Sequence, residues 1–205
     1  MFVMTADQKS SRRRGDAVPG LLDAVAAWRD RQPSDPFVLP VERTVGDEVQ
    51  GVLSDARAVV ALALLLQRLG GWSVGIGAGP VVEPLAESAP ASSGEAFILA
   101  RTAVERARGR SASVPLAVDG AAPGAAEEAE ALLQLLAAVV RRRSGAGWEV
   151  VDLVAEGGTQ RAAAERLGIS AQAVSQRLDA ALWQEEVRLH PLAARLLVAA
   201  EEGSS

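Results

Sequence analysis

The chain has 205 residues, 49% of them hydrophobic, with a formal net charge of -5, one histidine and no cysteine. That length suits one domain or two modest ones with ample apolar residues for a core, and the absence of cysteine removes disulfides and thiol chemistry. The acidic balance argues against nonspecific coating of nucleic acid, which depends on neutralising phosphates. No apolar run is long enough for a bilayer and no apolar leader with a cleavage site follows Met1, so a cytoplasmic protein without membrane contact is expected.

Met1 to Ala6 is a short apolar, β-prone run ending at Asp7, which sets a carboxylate at the tip of a first strand. The loop QKSSRRRGD follows, its Arg12, Arg13 and Arg14 being either a solvated charge run or a phosphate binder. Pro19 opens a helix with Leu21, Leu22, Val25, Ala26 and Trp28 at helical spacing, and Arg31 to Pro36 breaks it. Phe37 to Val45 is strand-like, on an edge or bulged because of Pro40, and Gly46, Asp47 and Glu48 turn the chain into a returning strand, Val49 to Leu53. Asp55 caps a helix from Ala56 to Leu69 that is apolar nearly all round. WSVGIGAGPVV, from Trp72, is a buried strand whose glycines admit a close neighbour. A loop, Pro84 to Ser93, a helix, Glu95 to Arg108, and a strand, Val114 to Val118, complete an α+β sheet expected to carry its helices on one face.

Ala121 to Gly124 is a small linker, and Ala125 to Arg143 a long helix whose stripe of Leu132, Leu133, Leu135, Leu136, Val139 and Val140 packs on the first domain or on a second copy, the former being the expectation. Gly145 and Gly147 separate it from a helix over Trp148 to Glu156. The next stretch, TQRAAAERLGISAQAVSQRL from Thr159, is a short helix, a glycine turn and a second helix. Thr159 and Ser170 are N-caps, Gly168 takes the positive φ common at a helix end, and Val174 and Leu178 face inward, four apart. That leaves Ala171, Gln172, Ser175, Gln176 and Arg177 outward, side chains of the types that reach base edges and phosphates. A helix then runs to about His190, a helix-end residue, and Pro191 to Glu202 is a terminal helix.

Gly168, Ile169, Ser170, Val174, Ser175, Arg177 and Leu178 resemble the pattern of sigma-factor region 4 and LuxR-type helix-turn-helix domains. The resemblance covers the last quarter of the chain and implies contact with double-stranded DNA through Thr159, Gln160, Arg161, Ser170, Ala171, Gln172, Ser175, Gln176 and Arg177. Between Gly157 and Trp183, Arg161, Arg166 and Arg177 stand against Glu165 and Asp179, a sparse basic patch that points to a homodimer.

Upstream, Asp7, Ser11 and Arg12 resemble the GD...SR motif, and Gly46, Asp47, Glu48, Gln50 and Gly51 the GDEFQG motif, of the bacterial SatD family. The layout is similar to that of class III nucleotidyl cyclases and GGDEF domains. This implies Asp7 and Asp47 as metal ligands, Ser11, Arg12 and Glu48 as ligand-binding residues, and Mg²⁺ with a nucleotide-like small molecule as the bound group. The sequence departs from these families: Ala6 replaces a glycine, Ile98 and Thr102 stand where cyclases carry Asn and Arg, with Arg101 one residue off, and Val45 precedes Gly46.

The expected fold is thus α+β, a ferredoxin-like or cyclase-like sheet domain (1–120), a linker helix (121–144) and an all-α helix-turn-helix domain with a C-terminal helix (145–205). The expected function is transcriptional regulation by sequence-specific DNA binding, with a non-catalytic N-terminal domain that senses a ligand or mediates dimerisation. The alternative is an enzyme, a metal-dependent nucleotidyl transferase or phosphohydrolase with a helical docking module.

Overall fold

The computed structural model describes residues 1–9, 15–109 and 113–202. Strand β1 (Phe2–Gln8) occupies the middle of the sheet and is buried along its whole length. Successive side chains of a strand point to opposite faces, so Phe2, Met4 and Ala6 enter the main core while Val3 enters a smaller one. β1 pairs antiparallel with β3 (Glu48–Leu53) on one side and β4 (Trp72–Ala78) on the other. β2 (Phe37–Arg43) lies antiparallel to β3 at one edge, and β5 (Leu116–Gly120) parallel to β4 at the other. The order is β2-β3-β1-β4-β5, which with eight helices among the described residues makes the protein mixed α+β. Pro40 cannot donate to a ladder; β2 is accordingly an edge strand, with register shifts on either side of Leu39.

Helices cover both faces of the sheet, contrary to the one-face expectation. On the main-core face lie α1 (Val18–Arg29), α2 (Ala56–Leu69), α4 (Pro123–Arg142) and α8 (Trp183–Glu201), through Val25, Leu62, Leu133 and Leu197 among others. Asp55 caps α2 by accepting from the Arg57 amide at 2.8 Å. The other face carries α3 (Glu95–Arg108), whose alanines at 96, 100, 103 and 107 recur at helical spacing and are buried to 1% exposure or less. The glycines of β4 admit this helix: a Cβ on Gly75 would overlap the backbone at Ala100 and Val104, and one on Gly77 the backbone at Ala96 and Ala100. Sequence periodicity showed a helix there but not the face on which it lands.

The last strand starts two residues later than expected, because Pro115 serves only as an acceptor, from the Val74 amide at 2.9 Å, before β5 begins. A larger correction concerns the C-terminus. α8 is one continuous helix through Pro191, where a break was expected. Proline inside a helix costs about 3 kcal/mol, and burial of Ala193, Ala194, Leu197 and Ala200 just beyond it offsets that loss. α8 therefore belongs to the sheet domain rather than to the 145–205 unit: it packs on α4 and α2, and its end accepts from the Ala122 amide through the Ala200 carbonyl at 3.0 Å. The stripe of α4 packs within the chain, as expected, through buried Leu133, Leu136 and Val140 and half-buried Leu132, with Val139 half-buried and Leu135 left exposed.

Gly75→Ala is expected to lower the unfolding free energy by at least about 1–3 kcal/mol, the usual cost of overpacking; urea denaturation measures it, and an unchanged midpoint would show that α3 can move away from β4.

Candidate nucleic-acid interface

Three short helices form a small unit between α4 and α8. In α5 (Gly145–Ala155), Ser144 caps the first turn by accepting from the Gly147 amide at 3.1 Å, so Gly145 and Gly147 lie inside the helix instead of preceding it. In α6 (Gln160–Leu167), Thr159 Oγ1 accepts from the Ala162 amide at 3.1 Å, and the helix ends on Gly168 at φ 64°, ψ 32°. In α7 (Ala171–Ala180), Ser170 Oγ accepts from the Ala173 amide at 3.1 Å. Both caps and the left-handed glycine were legible in the sequence. Val150, Val151, Ala163, Ala164, Val174, Leu178 and Ala181 form a core of their own, against which Trp148, Ile169 and Trp183 pack.

Of the nine side chains expected to meet DNA, Thr159, Gln160, Arg161, Ser170, Ala171, Gln172 and Gln176 are exposed, while Ser175 and Arg177 are half-buried. The arginines are less free than expected. Arg177 bonds to Glu149 Oε2 at 3.1 Å, across to α5, and Arg161 to Glu165 Oε1 at 3.1 Å along its own helix. Glu149 is the residue that the sequence reading missed; it lies 28 positions from its partner, a separation that no helical spacing reveals.

Two guanidinium contacts hold this unit to the sheet domain. Arg68 on α2 makes a bidentate pair with Asp152 on α5, at 2.5 and 2.7 Å, with its guanidinium 3.8 Å from the Trp148 ring centre. Arg143, fully buried, bonds to Glu186 on α8 and to the Ala181 carbonyl at the end of α7, at 2.9 Å, and lies 4.4 Å from the Trp148 ring centre. Burial alone would raise the Glu186 pKa, but hydrogen bonds from His190, at 3.3 Å, and Arg143 outweigh it and hold the carboxyl below its usual range. A lowered folded-state value means that this contribution to stability is present above the ordinary carboxylate pKa and is lost as the pH falls through the lowered one.

The second candidate site lies at one end of the sheet. The register puts Asp7 opposite Glu48 on β3 and Ser73 on β4, and the Gln8 amide donates to the Asp47 carbonyl at 3.1 Å. Asp7 and Glu48 are thereby brought together, with Asp47 close enough to repel the Asp7 charge. α3 supplies the counter-charges: Arg108 Nε is 3.2 Å from Asp7 Oδ2, and Arg101 Nη1 2.9 Å from Glu48 Oε2. Thr102 is occupied by the Ile98 carbonyl, at 3.1 Å. Among the described residues no group of three or more His, Cys, Asp or Glu side chains could hold a metal ion. Ser11 and Arg12, the other expected ligand-binding residues, lie outside the described residues. A separate cleft of about 490 Å³ opens between α3, β5 and α4, with Thr102, Arg106, Asp119, Glu127 and Glu130 among its lining.

Burial raises the Asp7 pKa, with Asp47 and Glu48 adding to it, and Arg108 and Arg101 only partly offset the rise. No helix of the described residues is long and apolar enough to cross a membrane. The chain matches no protein-family model, no curated protein and no solved structure.

Arg143→Met alone is expected to cost about 3–5 kcal/mol, since it strands a buried carboxylate, and adding Glu186→Leu to restore most of the loss; urea unfolding of both variants checks this, and a double variant as unstable as the single would show that the ion pair is not what Arg143 contributes. At the sheet end the sign is opposite. The folded protein holds the Asp7 proton more tightly than the unfolded chain, so stability falls as the pH rises through the raised value. Asp7→Asn is expected to raise Tm at neutral pH, the gain shrinking as the pH approaches the ordinary aspartate value of 3.8; a lower Tm at neutral pH would mean that the Arg108 contact dominates.

Proposed function

We propose that this chain is a sequence-specific DNA-binding transcriptional regulator in which α6 and α7 act as a helix-turn-helix and α7 enters the major groove. The observation that carries the reading is the construction of that helix pair. Two capped helices meet at a left-handed glycine over a core of their own, and the stripe that α7 leaves to solvent holds Ala171, Gln172 and Gln176 rather than the Glu and Lys pairs of an ordinary surface helix. The exposed N-termini of both helices suit phosphate contact. One such unit with few free cations binds weakly, so the reading includes a homodimer on half-sites about one DNA turn, roughly 34 Å, apart.

The N-terminal domain, in this reading, has a ferredoxin-like, cyclase-related core, β1 to β4 with α1 and α2, and senses a nucleotide-like ligand or mediates dimerisation. The strand order β2-β3-β1-β4 and its antiparallel directions support that core. The alternative, a metal-dependent nucleotidyl transferase or phosphohydrolase, draws on the convergence of Asp7, Asp47 and Glu48. It is the weaker reading, because Arg101 and Arg108 occupy the Glu48 and Asp7 carboxylates and Thr102 stands where a cyclase arginine would.

Gel shifts against genomic fragments test the DNA reading. Replacing Gln172, Gln176 and Arg177 together by Ala is expected to weaken binding roughly thirtyfold or more, two lost base contacts at about 1 kcal/mol each being the lower bound; binding that persists unchanged would mean that α7 is not the reading helix.

A further inference from the structure

On the reading of α7 as the groove-entering helix, we infer that it specifies A·T pairs rather than guanine, with Gln172 and Gln176 as base readers and Ala171 as a thymine contact. Guanine is most often read by an arginine or lysine bidentate to O6 and N7. α7 has no lysine and one arginine, and that arginine is held by Glu149 at 3.1 Å, on the side facing α5. Its exposed readers are carboxamides. A carboxamide offers one acceptor and two donors, which match the N6 donor and N7 acceptor of adenine as a bidentate pair.

The geometry narrows the site further. Gln172 and Gln176 are four residues apart on one stripe, so their attachment points differ by about 6 Å along the helix. That is close to two base-pair steps of roughly 3.4 Å, so each half-site carries two A·T pairs about two steps apart. Ala171, exposed at the start of the helix, presents a methyl that packs against a thymine methyl. Ser175 lies between the two amides along the sequence, and a serine hydroxyl accepts either kind of base, so it adds contact without discrimination. Arg161, paired with Glu165 on α6, is placed to meet phosphate and adds affinity without sequence preference.

Selection of the full chain on a random duplex library, followed by sequencing of the bound fraction, tests the inference. The expected site holds the two A·T pairs. Gln172→Ala relaxes one and Gln176→Ala the other, each lowering affinity for the selected site by about 5- to 150-fold and leaving affinity for random duplex unchanged. Arg177→Met weakens binding evenly and leaves the selected sequence as it was. Both glutamines are exposed and alanine is the better helix former, so unchanged thermal unfolding will show that the variants fold. A guanine-centred site that survives both glutamine variants and is lost with Arg177→Met overturns the base assignment and leaves the DNA reading standing. Enrichment of no sequence at all overturns both.

Discussion

The buried guanidinium of Arg143 is the joint on which the C-terminal half depends. It stands where α4 gives way to α5, and its partners are the Ala181 carbonyl at the end of α7 and the Glu186 carboxylate near the start of α8. One side chain therefore fixes the outgoing helix, the last helix of the small unit and the returning helix at a single point. The chain turns there on Leu182, the only described non-glycine residue with positive φ, at 50°. Such a conformation costs on the order of 1–3 kcal/mol and persists only where the surroundings enforce it. Arg143 holds the carbonyl immediately before it. Removing either member of the ion pair leaves the other charged and dry, so the joint is sensitive to single substitutions while adding little net stability as a pair.

A different constraint governs the sheet domain: the near-contact of α3 with the glycines of β4. Because no side chain separates the helix backbone from the strand backbone at Gly75 and Gly77, α3 has one seat, and that seat fixes where its arginines reach. Arg101 and Arg108 arrive at Glu48 and Asp7, and the cluster at the sheet end becomes a network of carboxylates and guanidiniums. Asp7 still bears a net electrostatic penalty there, since burial and its acidic neighbours outweigh the two arginines. Groups held at such a cost cluster at functional sites more often than elsewhere, which is why this end of the sheet is the natural place to look for the effector of the proposed regulator.

Local features were legible in the sequence and long-range ones were not. The caps at Asp55, Thr159 and Ser170, the turn at Gly168 and the inward pair Val174 and Leu178 each follow from chemistry within four residues, and all stand as read. The edge position of β2 followed from Pro40. Hidden from any local reading were the Glu149 to Arg177 pair, the landing of α3 on the far face, and the return of α8 to the sheet domain. Pro191 misled because propensity weighs against a mid-helix proline, whereas the helix is held by alanines and leucines that bury against α4 and α2. Arg101, one residue away from an expected cyclase position, proved to be the partner of Glu48, a pairing set by the sheet register and not by the spacing of either motif.

The return of α8 has a consequence for motion. A DNA-reading module at the end of a chain usually hangs from a tether and can swing to find its half-site. Here the small unit is an insertion, entered from α4 and left through α8, with those two helices packed side by side and their far ends joined at Ala122 and Ala200. It has a root on both sides and is clamped a third time by Arg68 and Asp152. A homodimer of the kind proposed would then behave as a caliper with a locked opening, tolerating little change in the spacing between half-sites.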